Sequence, residues 1–136
     1  MNVNAHLNFG GNCRPAFDYD AKVFDAKIEM AMTWGESPMK DQCGPAERDK
    51  IIRIAMKVGE TVLMGADAPP ERFETAAGIT LGISPKTVDE ANRLFAAPSD
   101  GGSIAMPIQA TFGSPAFGMC TDRFGIPWMV SAEGEV

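Results

Sequence analysis

The sequence holds one histidine, His6, among its 136 residues. A zinc site built from several imidazoles is therefore excluded within one chain. A Ser-His-Asp or Cys-His catalytic pair would have to use His6 or none. Cysteine is almost as scarce. Cys13, Cys43 and Cys120 are odd in number, widely spaced and form no C-x-x-C. They read as free thiols in a reducing compartment, here the cytoplasm. Positive charge is also short, with 12 Lys+Arg against 18 Asp+Glu and a net charge of -6. Nucleic acid is excluded as the main partner, because neutralising phosphates needs a basic surface. The start of the chain, Met1 to His6, has no basic region leading into an apolar run, so no signal peptide is read there. Gly101 to Thr121 carries no charge, but it contains Pro107, Pro115, Gln109 and several hydroxyl groups. Those polar groups would be costly in lipid, so this stretch is not a membrane span and no membrane partner is expected.

The apolar share is 45% and the charged share 22%, so the chain has the composition of an ordinary globular domain rather than a disordered one. Val3 to Phe9 alternates: Val3, Ala5, Leu7 and Phe9 are apolar, while Asn4, His6 and Asn8 are polar. A period of two predicts a strand with one face on a core. Gly10-Gly11-Asn12 breaks it, with Asn12 as an N-cap and Pro15 in the first turn of a helix over 13–24. Ala26 to Trp34 reads as a second strand, with Ile28, Met30, Met32 and Trp34 sharing one face. Gly35 to Asp49 is a loop with Pro38, Gly44 and Pro45, long enough to act as a lid. Lys50 to Val58 and Thr61 to Ala66 are strands joined at Gly59-Glu60. Residues 68–73, with Pro69-Pro70, form a linker, since paired prolines cannot donate to a sheet ladder.

The second half repeats the plan. Gly78 to Ile83 is a strand, Thr87-Val-Asp-Glu90 is a capping box, and Pro98-Ser-Asp-Gly-Gly102 stops the helix. Ser103 to Ala110, Ala116 to Thr121 and Ile126 to Ser131 are strands, the last two joined by the turn Asp122-Arg-Phe-Gly125. The expected fold is α+β: one domain over 1–136 made of two βαβββ modules, about 1–68 and 74–134. Curved mixed sheets carry their helices on the outer face. One helix covers one face of its sheet, so the other must be buried on another module, a second chain or a ligand. That argument points to a cavity between two curved sheets. It also points to a homodimer, because open edges and apolar faces need covering.

Several segments resemble the PhnB-like branch of the vicinal oxygen chelate superfamily, which includes glyoxalase I, extradiol dioxygenases and bleomycin-resistance proteins. They are Leu7-Asn-Phe-Gly-Gly-Asn-Cys-Arg-Pro-Ala16, Trp34-Gly-Glu-Ser-Pro-Met39 and Leu63-Met-Gly-Ala-Asp67. The tail adds Gln109-Ala-Thr-Phe112, Phe117-Gly118 and Thr121-Asp-Arg-Phe-Gly-Ile-Pro-Trp128. The resemblance covers almost the whole chain, and the tail is its most specific part. Two positions depart from it: Asp20 stands where relatives often carry an aromatic, and Gly113 where they often carry Trp, a change expected to enlarge or loosen the cavity.

The resemblance implies either a divalent metal on the inner sheet face, held by His, Gln or Glu, or a metal-free binding site. The residues favour the second. Only His6 stands on a strand as a strong ligand, with Asp67 and Glu36 as distant carboxylates, and Met129 occupies the place where a ligand Glu is expected. The reading is a small-molecule-binding protein without a cofactor, taking a small, partly apolar molecule. The alternative is a metal-dependent lyase, isomerase or dioxygenase using His6 and a carboxylate. Expected ligand-binding residues are His6, Asn8, Trp34, Glu36, Met64, Asp67, Gln109, Phe112, Phe117 and Trp128; no catalytic residue is assigned. Cys13, at a helix start, reads as a buried inert thiol, and Asp122 as the cap of its turn. Some relatives bear a ubiquinone-type methyltransferase label. No glycine-rich strand–turn–helix loop for a nucleotide-like cofactor is read here to support it.

Overall fold

In a computed structural model of the chain, residues 1–134 are described. The chain divides into two compact units, the first running from Met1 to Glu74 and the second starting at Thr75. The first unit contains β1 (Ala5–Phe9), α1 (Cys13–Val23), β2 (Lys27–Thr33), β3 (Ile51–Val58) and β4 (Thr61–Asp67). The second contains β5 (Leu81–Ile83), α2 (Val88–Ser99), β6 (Ser103–Thr111), β7 (Ser114–Thr121) and β8 (Pro127–Ser131). The strand orders are β1-β4-β3-β2 and β5-β8-β7-β6. In each sheet one pair is parallel, β1 with β4 and β5 with β8, and the other pairs are antiparallel. Each parallel pair is reached by a connection through the helix and two further strands.

In the first unit α1 buries Cys13, Ala16 and Phe17 against one sheet face. The Phe17 ring lies on Gly65 so closely that a Cβ there would come within 2.6 Å of it. Phe9 meets the same ring edge-on, with centroids 6.1 Å apart. Ile54 and Met56, both 0% exposed, complete this core. The second unit uses the same device. Phe95 on α2 covers Gly118 of β7, where a Cβ would lie 2.7 Å from the ring. Glycine is required at both positions because an aromatic ring takes the space of its side chain.

The structure corrects several sequence expectations. The first strand starts at Ala5, and Val3 is fully exposed. β5 is only three residues long, and Ile79 before it is 77% exposed. The helix containing Pro98 runs one residue past it to Ser99. Loop 35–49 holds two short 3-10 turns, Lys40–Gln42 and Pro45–Glu47. Most consequential is a bulge in β2. Ile28 pairs with Met56 but Met30 pairs with Ala55, so Ile28 faces α1 while Met30 lies on the opposite face. Strict alternation from Ile28 to Trp34 does not survive that extra residue. Asn12 makes no side-chain cap bond, and the start of α1 is capped from a distant strand instead. Thr87 does cap α2, accepting from the Glu90 N–H at 3.1 Å. No helix among the described residues is long and apolar enough to cross a membrane.

Candidate functional site

The register fixes which side chains lie on the face of the first sheet opposite α1. His6 pairs with Met64, Met64 with Ala55, and Ala55 with Met30, giving a row across all four strands. Asn8, paired with Ala66, stands one step further along. His6 and Asn8 are exposed, while Met30, Ala55 and Met64 are half-buried. The row therefore has a soft apolar centre with a polar imidazole at one end. Methionine suits such a surface because its unbranched chain adapts to irregular partners.

Asp67 and Trp34 lie elsewhere, where β1 and β4 end. The Gly11 and Cys13 N–H groups donate to Asp67 Oδ1 at 2.9 and 3.0 Å, and the Ile51 N–H donates to Oδ2 at 2.9 Å. Both oxygens of this buried carboxylate are thus taken by backbone. Its anion sits at the N-terminus of α1, where the helix dipole favours it. β1 does run through Gly10-Gly11 into this helix, so a glycine turn between strand and helix exists after all. Its donors are occupied by Asp67. Trp34 Nε1 donates to the Asp67 carbonyl at 3.3 Å. A cleft of about 570 Å³ opens beside them, lined by Gly10, Trp34, Met39, Cys43, Lys50 and Arg72 among others. Sequence reasoning missed this cleft; the 15-residue loop was the only signal, and that loop forms one wall.

Glu36 does not join either group. Its Oε1 accepts from the Thr33 N–H at 3.1 Å and the Thr33 hydroxyl at 2.8 Å. Those two bonds, the backbone one first, hold its carboxyl below the usual range.

In the second unit, Gln109 pairs with Phe117 and Met119 with Met129, on the face opposite α2. Phe112 is the fully exposed tip of the β6–β7 hairpin, beside Gly113, where a Cβ would meet nothing. Neither residue packs on its own unit's core. Trp128 lies on the α2 side, 4% exposed, and its Nε1 donates to Asp122 Oδ2 at 2.7 Å. The Phe124 and Ile126 N–H groups donate to Asp122 Oδ1 at 2.9 Å each. Asp122 caps its turn as expected, and Trp128 is a core residue held by that cap.

Among the described residues no three His, Cys, Asp or Glu side chains gather to hold a metal ion. His6 has no carboxylate neighbour in its row, and both oxygens of Asp67 already accept backbone N–H bonds. Within the first unit, these residues gather no donor cluster for a divalent cation.

The thiols differ. Burial, reinforced by the Asp67 carboxylate, pushes Cys13 up to about 12, and burial also raises Cys120. Cys43 is half-buried and lines the cleft. A thiol reagent added to native protein at pH 8 is expected to label Cys43 quickly and the other two only on unfolding. Two or three fast equivalents would contradict this. Because the folded Cys13 value lies above the ordinary value of 9, the stability it contributes is intact below pH 9. It is lost as pH rises toward 12, and Cys13→Ala should flatten that alkaline decline.

Comparison with known proteins agrees with this fold. The model of the family described as 3-demethylubiquinone-9 3-methyltransferase matches residues 1–131. Protein YjdN of Escherichia coli K12 is 31% identical over 139 residues, covering 96% of this chain and 95% of its own. The crystal structure of protein PA1353 from Pseudomonas aeruginosa is 36% identical with a TM-score of 0.90, covering 98% of each chain. At the level of fold, a fosfomycin resistance protein, FosX, from Listeria monocytogenes has a TM-score of 0.67 at 7% identity. It covers 98% of this chain and 93% of that one, and its structure was solved with Mn(II) and 1S,2S-dihydroxypropylphosphonic acid. With its sheets, its helices and its sequence all agreeing, the chain belongs to the family described as 3-demethylubiquinone-9 3-methyltransferase, and it shares its fold with FosX.

Proposed function

We propose that this protein binds a small, partly apolar molecule without a metal, on the face of the first sheet that α1 leaves uncovered. The observation that carries this reading is the row His6, Met64, Ala55, Met30, which presents a pliable apolar strip ending in an imidazole. In the second unit, taken by itself, Phe117 and Met119 share the face opposite α2 with the exposed amide Gln109. The manganese seen with FosX would need several hard donors, and His6 alone cannot supply them. Methyl transfer, the chemistry in the family's description, would need an anchored methyl donor. The one strand–glycine–helix turn of the first unit already holds the Asp67 carboxylate at its donors. Binding, rather than transfer, is the reading these residues support.

The proposal includes a homodimer in the cytoplasm. β6 is an edge strand, uncharged along its length, with Ile104 52% exposed. Such an edge invites pairing unless a second copy covers it. Light scattering is expected to report twice the chain mass.

The test of function is thermal melting across a metabolite and aromatic-compound library, with chelator present throughout. A ligand at a hundred times its dissociation constant adds about 2.7 kcal/mol to folding. Stabilisation that survives chelator and is lost in His6→Ala supports the reading. A 1:1 zinc, manganese or nickel complex dependent on His6 would refute it.

A further inference from the structure

The same uncovered face carries charge that its neighbours do not neutralise. Lys27 and Lys57 are direct cross-strand partners, and Lys57 sits opposite Val62 on the face of Met64 and Ala55. Arg53, opposite Met32, lies two residues along β3 from Ala55 on the other side. All three cations are exposed, and none forms a salt bridge with a described residue. Like charges placed directly opposite one another repel and weaken a sheet. In a chain with net charge -6, keeping three cations around one apolar strip runs against the general balance. Glu29 shares a shallow depression with Lys27 and Lys57 and partly offsets that end.

Resting on the reading above, we propose that the ligand of this face is an organic anion with an apolar body. The body lies along Met64, Ala55 and Met30, and the anionic group meets the Lys27–Lys57 pair. Charge complementarity selects the ligand: a neutral molecule would gain the apolar contact but leave paired lysines repelling each other. An anion relieves that repulsion as it binds.

Calorimetric titration with two matched probes, 4-phenylbutyrate and 4-phenylbutanol, tests this on the full chain with chelator present. The butyrate is expected to bind about tenfold more tightly at low salt, with the advantage shrinking as salt rises. Lys27→Gln with Lys57→Gln together should remove most of that advantage, and Glu29→Gln should increase it. Lys22→Gln, on the exposed side of α1, should change nothing. Opposite shifts from Lys57→Gln and Glu29→Gln are not what a loss of folding would give. Equal binding of both probes, or equal loss in Lys22→Gln, would overturn the anion proposal while leaving small-molecule binding intact. No binding of either probe, together with no stabilising compound in the melting library, would overturn both.

Discussion

Replacing Asp67 with alanine is expected to cost at least about 4 kcal/mol of folding stability, because three backbone donors lose a charged acceptor together. Ile51 lies far from Gly11 and Cys13 in sequence, and this one carboxylate joins the β1–α1 turn, the start of α1 and the start of β3. Bonds to a charged acceptor contribute about 1.5–3 kcal/mol each, and buried N–H groups left without partners add their own penalty. Asp67→Asn should fall between the two, since its single amide oxygen can satisfy one side of the cluster but its NH2 faces a donor on the other. Guanidinium unfolding measures this directly, with the midpoint moving and the slope unchanged. A loss below about 1 kcal/mol for Asp67→Ala would show that the three bonds do not hold the unit together.

Phe17→Ala should cost about 3–5 kcal/mol, the range for emptying a buried aromatic site. The ring is 1% exposed, covers Gly65 and meets Phe9 edge-on. Gly65→Ala should also destabilise, by about 1–3 kcal/mol, because the new methyl overlaps the ring. Combined, Phe17→Ala with Gly65→Ala should cost clearly less than the sum, since the methyl then enters space the ring has left. Additive losses would mean that the ring and the glycine do not share that space.

Much of the fold was legible because period-two alternation, glycine turns and a capping box are local signals. β3, β4, β7 and both helices fall within a few residues of their sequence-based bounds. What sequence did not show was mostly long-range. Asp67 reads as a free carboxylate at a strand end, and only folding reveals the donors 16 to 56 positions away that occupy it. Trp128 reads as a cavity aromatic, yet parity along β8 and the bond to Asp122 place it under α2. Alternation tells which residues share a face but not which face the helix takes. The β2 bulge hid the row around His6 for a related reason: one inserted residue moves Met30 across the sheet, and no local residue type marks the place. His6, Asn8 and Met64 share one face because β1 and β4 are regular and in register.

A ligand of this protein is expected on the face of the first sheet opposite α1. Methionine methyl groups serve as reporters, since Met30 and Met64 lie on the uncovered face, Met56 is 0% exposed under α1 and Met39 lines the end cleft. An NMR titration of methyl-labelled protein with 4-phenylbutyrate, chelator present, should shift Met30 and Met64 in proportion to occupancy and leave Met56 and Met39 in place. Shifts confined to Met39, or appearing only once a divalent metal is added, would contradict this account.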